Sequence, residues 1–238
     1  MHALTQHEVR WLCPNCSETT QYSLHRDGLQ QRKRISIRPI LPTCTTCGAD
    51  IRLLHAPPPR ADARLIVLTG TCASGKSSTA EALIAHYGFT GIDGNCVLFD
   101  VLKHKYDLTH VAFNGPEMLQ EIAFEIDLLL ALHRDIVLSQ VIIPSDLPTY
   151  RTMFQQRKLC YRIFVLQPQY ATAVARSQQR TVFQSPTLVE WVKHFHDAMA
   201  CFQPEDDVEI FDNTDLSVEA SAAQIWQSYQ FHGGRTAR

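Results

Sequence analysis

Leu65-Ile-Val-Leu-Thr-Gly70-Thr-Cys-Ala-Ser-Gly75-Lys76-Ser77-Ser-Thr-Ala80 joins a short apolar run to a glycine-spaced loop and then to a helix signal. The run Leu65 to Thr69 is what a parallel strand covered on both faces requires. After the loop, Ala80, Leu83, Ile84 and Tyr87 recur at helical spacing, which predicts a helix from Lys76 to Tyr87. A glycine-rich turn that opens a helix presents a row of backbone N–H groups and the positive end of the helix dipole, a cradle suited to a chain of phosphates. Gly70, Thr71, Cys72, Ala73, Ser74, Gly75, Lys76, Ser77 and Ser78 are therefore the expected contacts of a nucleoside triphosphate. Lys76 is expected on the β- and γ-phosphates, and the Ser77 hydroxyl on magnesium.

Outward from this loop, apolar runs alternate with amphipathic stretches. Strands are expected at Gly91-Ile92-Asp93, from Ile136 to Ile143, from Tyr161 to Leu166 and from Val208 to Phe211. Helices are expected from Pro116 to His133, from Thr187 to Phe202, where Thr187 and Glu190 make a capping-box pattern, and from Ser217 to Tyr229. Such alternation predicts an α/β domain with a parallel sheet. The third strand runs into Pro144-Ser145-Asp146, with no Asp-Glu pair closing it as a motor or a GTPase would have. The acidic strand end is instead Asp93, which a doubly wound sheet would bring beside the phosphate loop.

Before residue 61 the pattern differs. Cys13-Pro-Asn-Cys16 and Cys44-Thr-Thr-Cys47 are two knuckles with twenty-seven residues between the inner cysteines. Between them, Gln21 to Leu24 and Ile35 to Arg38 alternate like short strands. Two CxxC turns supply the four thiolates of a closed tetrahedral zinc shell, so Cys13, Cys16, Cys44 and Cys47 are the expected ligands of a structural zinc in a small β module resembling zinc ribbons. Pro57-Pro58-Pro59 then reads as a stiff linker. The expected organisation is a zinc-ribbon module and linker over residues 1–60 and an α/β domain over 61–238.

Charge is unevenly spread: residues 1–60 hold eight Lys/Arg against four Asp/Glu, and the remainder fourteen against twenty. Four zinc-bound thiolates would remove part of that positive excess, so charge by itself is a weak argument for a nucleic-acid partner. Arg32, Lys33, Arg34 and Arg38 could meet phosphates or form a solvated hairpin tip. No run approaches the roughly 20 apolar residues of a membrane span, and the first thirty residues lack an apolar leader core. A cytoplasmic protein is expected. Two CxxC pairs among eight cysteines point to metal binding in a reducing compartment rather than to a disulfide scaffold.

These stretches together resemble the small P-loop kinases, a group that includes gluconate and adenylylsulfate kinases, the zeta-toxin and chloramphenicol phosphotransferase families and polynucleotide kinase domains. Gly91-Ile-Asp93-Gly94-Asn95 is similar to the Asp-Gly-Asp/Asn segment at the end of their second strand. Tyr161 to Pro168, followed by Ala173-Val-Ala-Arg176-Ser-Gln-Gln-Arg180, resembles their fourth strand and arginine-bearing lid, and Phe211 to Glu219 their last strand and helix start. The resemblance covers roughly Arg64 to Tyr229 and implies a P-loop kinase-like parallel sheet flanked by helices. It implies an ATP-dependent phosphotransferase in which Asp93 orients or deprotonates an acceptor hydroxyl and Arg176 and Arg180 clamp the migrating phosphoryl group. Asp93 as a turn residue, and the two arginines as a solvated helix face, are the competing readings. Asp100, Lys103, His104, Lys105 and Arg151 are further acceptor candidates or simply polar surface.

The acceptor is open: a small molecule or nucleoside, a polynucleotide held with the zinc ribbon, or none, in a nucleotide switch that recruits a protein partner.

Overall fold

The computed structural model describes residues 7–12, 16, 19–24, 29–32, 36–39, 46–47, 52–55, 63–97, 114–131, 134–179, 188–231 and 235–236. Cys13, Cys44, Asp100, Lys103, His104, Lys105, Arg180 and Thr187, and with Thr187 the expected capping box, lie outside them.

In chain order the strands are β1 (His7–Leu12), β2 (Thr19–Leu24), β3 (Leu29–Arg32), β4 (Ser36–Pro39), β5 (Arg52–His55), β6 (Arg64–Gly70), β7 (Thr90–Asp93), β8 (Ile136–Ser139), β9 (Cys160–Leu166), β10 (Val208–Phe211) and β11 (Arg235–Thr236). The helices are α1 (Lys76–Tyr87), a three-residue turn α2 (Gly94–Cys96), α3 (Pro116–Ala131), α4 (Leu147–Gln156), α5 (Tyr170–Gln178), α6 (Leu188–Met199) and α7 (Val218–Phe231).

Five strands form the expected parallel sheet in the order β10-β9-β6-β8-β7. Strand β6, which feeds the phosphate loop, is central and its side chains divide by parity. Leu65 and Val67 join Met118, Ile122, Ile126, Tyr150 and Phe154 on the face covered by α3 and α4. Ile66 and Leu68 join Ala80, Leu83, Ala222 and Ile225 on the face covered by α1 and α7. This period-2 split of a continuous apolar run is how one strand feeds two cores. Among the described residues no helix is long and apolar enough to cross a membrane.

The N-terminal strands include an antiparallel sheet in the order β2-β1-β5, and a β3–β4 hairpin whose Ser36 pairs in parallel with Gly91 of β7.

Two of the departures from the sequence expectations follow β8. Strand β8 ends at Ser139 rather than Ile143. Beyond it Ile142 exchanges both its backbone groups with the Thr69 hydroxyl, which donates to Ile142 O at 2.9 Å and accepts from Ile142 N at 2.8 Å. A side chain thus takes over where the ladder stops. Helix α4, absent from the sequence reading, follows at once, with Pro148 in its first turn and Leu147, Tyr150, Met153 and Phe154 buried.

Candidate nucleotide and phosphoryl-transfer site

The loop between β6 and α1 lies at the carboxyl edge of the parallel sheet, the edge where open α/β sheets bind ligands. Its path needs three left-handed residues: Gly70 at φ 143°, Ala73 at φ 62° and Gly75 at φ 97°. At Gly70 a side chain is excluded on steric grounds as well, since a Cβ would stand 2.3 Å from the Leu166 carbonyl oxygen. Gly75 occupies the N-cap of α1 and offers no side-chain acceptor, so nothing on that residue competes with an anion for the first N–H groups of the helix.

Lys76 is only 9% exposed. Its ammonium curls back along the loop, donating to Gly70 O at 2.9 Å and Thr71 O at 2.7 Å. The Ser77 hydroxyl lies 3.3 Å from Asp93 Oδ2, while Asp93 Oδ1 accepts from Asn95 N at 2.8 Å. One carboxylate oxygen is thus used in a tight turn and the other faces the loop serine. A hydroxyl and a carboxylate this close form an all-oxygen donor set of the kind a hard divalent cation takes, so Ser77 and Asp93 fit magnesium.

On the other side of the loop, Asn213 sits just past β10. Its Nδ2 donates to Ser74 O at 2.8 Å, and its Oδ1 is buried with no hydrogen-bond partner among the described residues, as is Ser74 Oγ. Arg176, in α5, donates to Asn213 O at 2.9 Å and Thr214 O at 3.2 Å. Arg176, Asn213, Ala73, Gly75 and Thr79 border a cleft of about 270 Å³ beside the loop. From the opposite flank, the Thr71 hydroxyl donates to the Val192 carbonyl of α6 at 2.9 Å, which joins the loop to that helix.

All nine loop residues, together with Asp93 and Arg176, therefore converge on one edge, whereas Arg180 lies outside the described residues. Arg151 does not join them. Its guanidinium is engaged by Asp207 and Glu205, just before β10 and hence at the amino edge of the sheet. Those partners raise its pKa further, the Asp207 hydrogen bond most of all. Asp146, at the start of α4, accepts from Asn114 Nδ2 at 2.6 Å. Sequence reasoning assigned no role to Asn213, Gln140 or Asn114. An Asn two residues past a predicted strand near the carboxyl edge was the available signal for Asn213. The other two are isolated polar residues in apolar surroundings and carried none.

Cys16 and Cys47 are described and exposed, whereas Cys13 and Cys44 are not described. Among the described residues no group of three or more His, Cys, Asp or Glu side chains could hold a metal ion.

No family model and no curated protein matches the sequence. Solved structures do match. A sugar kinase from Janibacter sp. HTCC2649 superposes with a TM-score of 0.53 at 12% identity, over 72% of this chain and 96% of its own. A kinase from Chloroflexus aurantiacus, described as putative, gives 0.54 at 14% identity, over 73% of this chain and 98% of its own. The Mycobacterium tuberculosis APS kinase, solved with AMPPNP and APS, gives 0.51 at 16% identity, over 73% of this chain and 99% of its own. The protein has the fold of the small P-loop kinases.

Proposed function

We propose that this protein transfers the γ-phosphoryl group of ATP, bound with magnesium, to a hydroxyl of a small-molecule or nucleoside-type acceptor. The observation that carries the reading is the convergence of Lys76, Ser77 and Asp93 on one loop edge, with Ser77 Oγ and Asp93 Oδ2 3.3 Å apart. The metal, when bound, supplies charge neutralisation across the β- and γ-phosphates.

The chain's own residues do the rest. The α1 N-terminus and the loop N–H groups hold the phosphates. Lys76 exchanges its two carbonyl partners for phosphate oxygens, and its positive charge follows the developing negative charge. Ser77, from the helix side, and Asp93 Oδ2 would hold the metal when it is bound. Asp93, buried to 6% exposure, orients the acceptor hydroxyl and draws its proton. The cleft beside Asn213 receives the nucleobase. Arg176 and Arg180 serve as phosphate clamps.

The finer assignment of a structural zinc belongs with this reading. Leu12, the last residue of β1, pairs with both Thr19, the first of β2, and Arg52, the first of β5. The chain segments carrying Cys13-Cys16 and Cys44-Cys47 therefore leave or approach the same end of one sheet, which favours a single Cys13, Cys16, Cys44, Cys47 shell.

A γ-phosphate transfer screen with radiolabelled ATP over metabolites, nucleosides and 5'-hydroxyl oligonucleotides tests the activity. Label that stays on ATP or appears only as inorganic phosphate across all acceptors would overturn the kinase reading. Transfer to the oligonucleotides alone would move the acceptor to nucleic acid.

A further inference from the structure

Ser139, the last residue of β8, stands opposite Asp93 in the β7–β8 register. The next residue, Gln140, turns its side chain onto the residue after Asp93. A Cβ built on Gly94 would lie 1.5 Å from Gln140 Oε1 and 2.5 Å from its Cδ. Gly94 does not have a positive φ. With the Gln140 amide in this place, a side chain at Gly94 has no room, whatever the backbone conformation. What Gln140 presses against is the turn that the Asn95 N–H closes onto Asp93 Oδ1.

Gln140 is itself anchored on several sides and is 2% exposed. Its backbone N–H reaches Leu68 O at 3.1 Å, and its Nε2 donates to Asn114 Oδ1. Asn114, held at φ 58°, donates to Val141 O at 2.8 Å and to Asp146 Oδ2, and accepts from the Tyr150 hydroxyl at 2.8 Å. Burial, the largest cause, pushes the Tyr150 phenol well above its ordinary range, so it remains a donor. The end of β8, the approach to α3 and the start of α4 are thereby locked into one satisfied polar network. Such a network rigidifies what it touches.

We propose that Gln140 is a positioning residue: braced by Asn114, it holds the Asp93-Gly94-Asn95 turn in the place where the Asp93 carboxylate faces Ser77 and the metal site beside it. This rests on the reading of Ser77 and Asp93 given under Proposed function. A Gln140 that only fills space would affect stability without reaching the metal. Groups that orient a metal's ligands change metal affinity by about ten- to a hundredfold when altered.

The test is a calorimetric titration of Mn²⁺ into the full-length protein saturated with ATP, below the melting temperature of each variant, alongside ATP affinity without metal. Asp93→Asn sets the scale and is expected to weaken Mn²⁺ by about ten- to a hundredfold. Gln140→Ser and Gly94→Ala are each expected to weaken it by about tenfold with metal-free ATP affinity unchanged. The double variant is expected to match Gln140→Ser alone, because the shortened side chain leaves room for the added methyl. Gln140→Ser introduces no new bulk, so it decides the matter even if Gly94→Ala does not fold. Mn²⁺ affinity within about twofold of the parent in Gln140→Ser, while Asp93→Asn falls, overturns the Gln140 role alone. Unchanged affinity in Asp93→Asn overturns instead the reading of Asp93 on which the proposal stands.

Discussion

The Asn213 side chain reaches the phosphate loop from the far end of the domain, its Nδ2 donating 2.8 Å to the Ser74 carbonyl 139 residues earlier in the chain. Ser74 is fully buried, so that carbonyl has no water to fall back on. A buried acceptor left unpaired costs about 1–3 kcal/mol. Asn213→Ala should therefore lower unfolding free energy by that order and weaken ATP binding, because the loop loses the bond that fixes its middle. Asn213→Asp should be worse than Ala, since it sets two oxygens against each other at the same spot. Denaturant unfolding and nucleotide calorimetry check both. An Asn213→Asp protein as stable as the parent would show that the bond contributes nothing.

Lys76→Ala should leave a folded protein that has lost most of its triphosphate affinity. The sequence suggests an exposed loop lysine, but the side chain is buried and bonded to Gly70 O and Thr71 O. A small loss of melting temperature is thus expected as well. Hydrogen bonds to a charged group contribute about 1.5–3 kcal/mol, which places the fall in affinity at roughly ten- to a hundredfold. Calorimetry showing unchanged ATP affinity in the folded variant would remove Lys76 from the site.

How much of this was legible in the sequence depends on how local the signal is. The phosphate loop, α1 and β7 could be read because their chemistry sits within thirty residues, and the helix from Lys76 to Tyr87 has the bounds its periodicity implies. Helix α4 follows Pro144 closely and carries Pro148 in its first turn, a composition that hides a helix signal. In that turn the missing proline N–H is harmless. The run Val141-Ile142-Ile143 read as strand because buried loop and buried strand have the same composition. It packs into the core after the ladder has ended. Contacts such as Asn213 to Ser74, or Gln140 to Gly94, join residues that only the folded sheet brings together, and no periodicity marks them.

One equivalent of zinc per chain is expected in protein purified without chelator, with Cys13, Cys16, Cys44 and Cys47 as its ligands. Replacing Cys16 and Cys47 by Ser should release it, since a structural tetrahedral site does not survive the loss of half its thiolates. Metal analysis of the unaltered protein giving less than half an equivalent would count against the site. The α/β domain, residues 61–238, should fold without the module, because all five parallel strands and both cores lie within it. The pairing of Ser36 with Gly91 is the described ladder contact that truncation would remove, and it exposes an edge at β7. A truncated chain that fails to melt cooperatively would show that this edge must be covered.

Asp93 carries the sharpest expectation. Asp93→Asn keeps the shape of the side chain and an oxygen able to accept from Asn95 N, so the turn should survive and the protein should fold. It removes the negative charge that draws a proton from an acceptor hydroxyl. At saturating magnesium and ATP, weaker metal binding no longer limits the rate, and what remains is the transfer step. Positioned proton transfer contributes about a hundred- to ten-thousandfold. Phosphoryl transfer through a loose transition state asks less of a base, which places the expected loss towards the lower end of that range. A turn aspartate with no part in chemistry would give a slightly less stable enzyme and nearly parental turnover. The measurement is the transfer rate to the acceptor found in the screen, at saturating nucleotide and metal. A folded Asp93→Asn enzyme within about threefold of the parent would overturn the role. Asp146, whose Oδ2 accepts from Asn114, would then be the next carboxylate to test among the described residues.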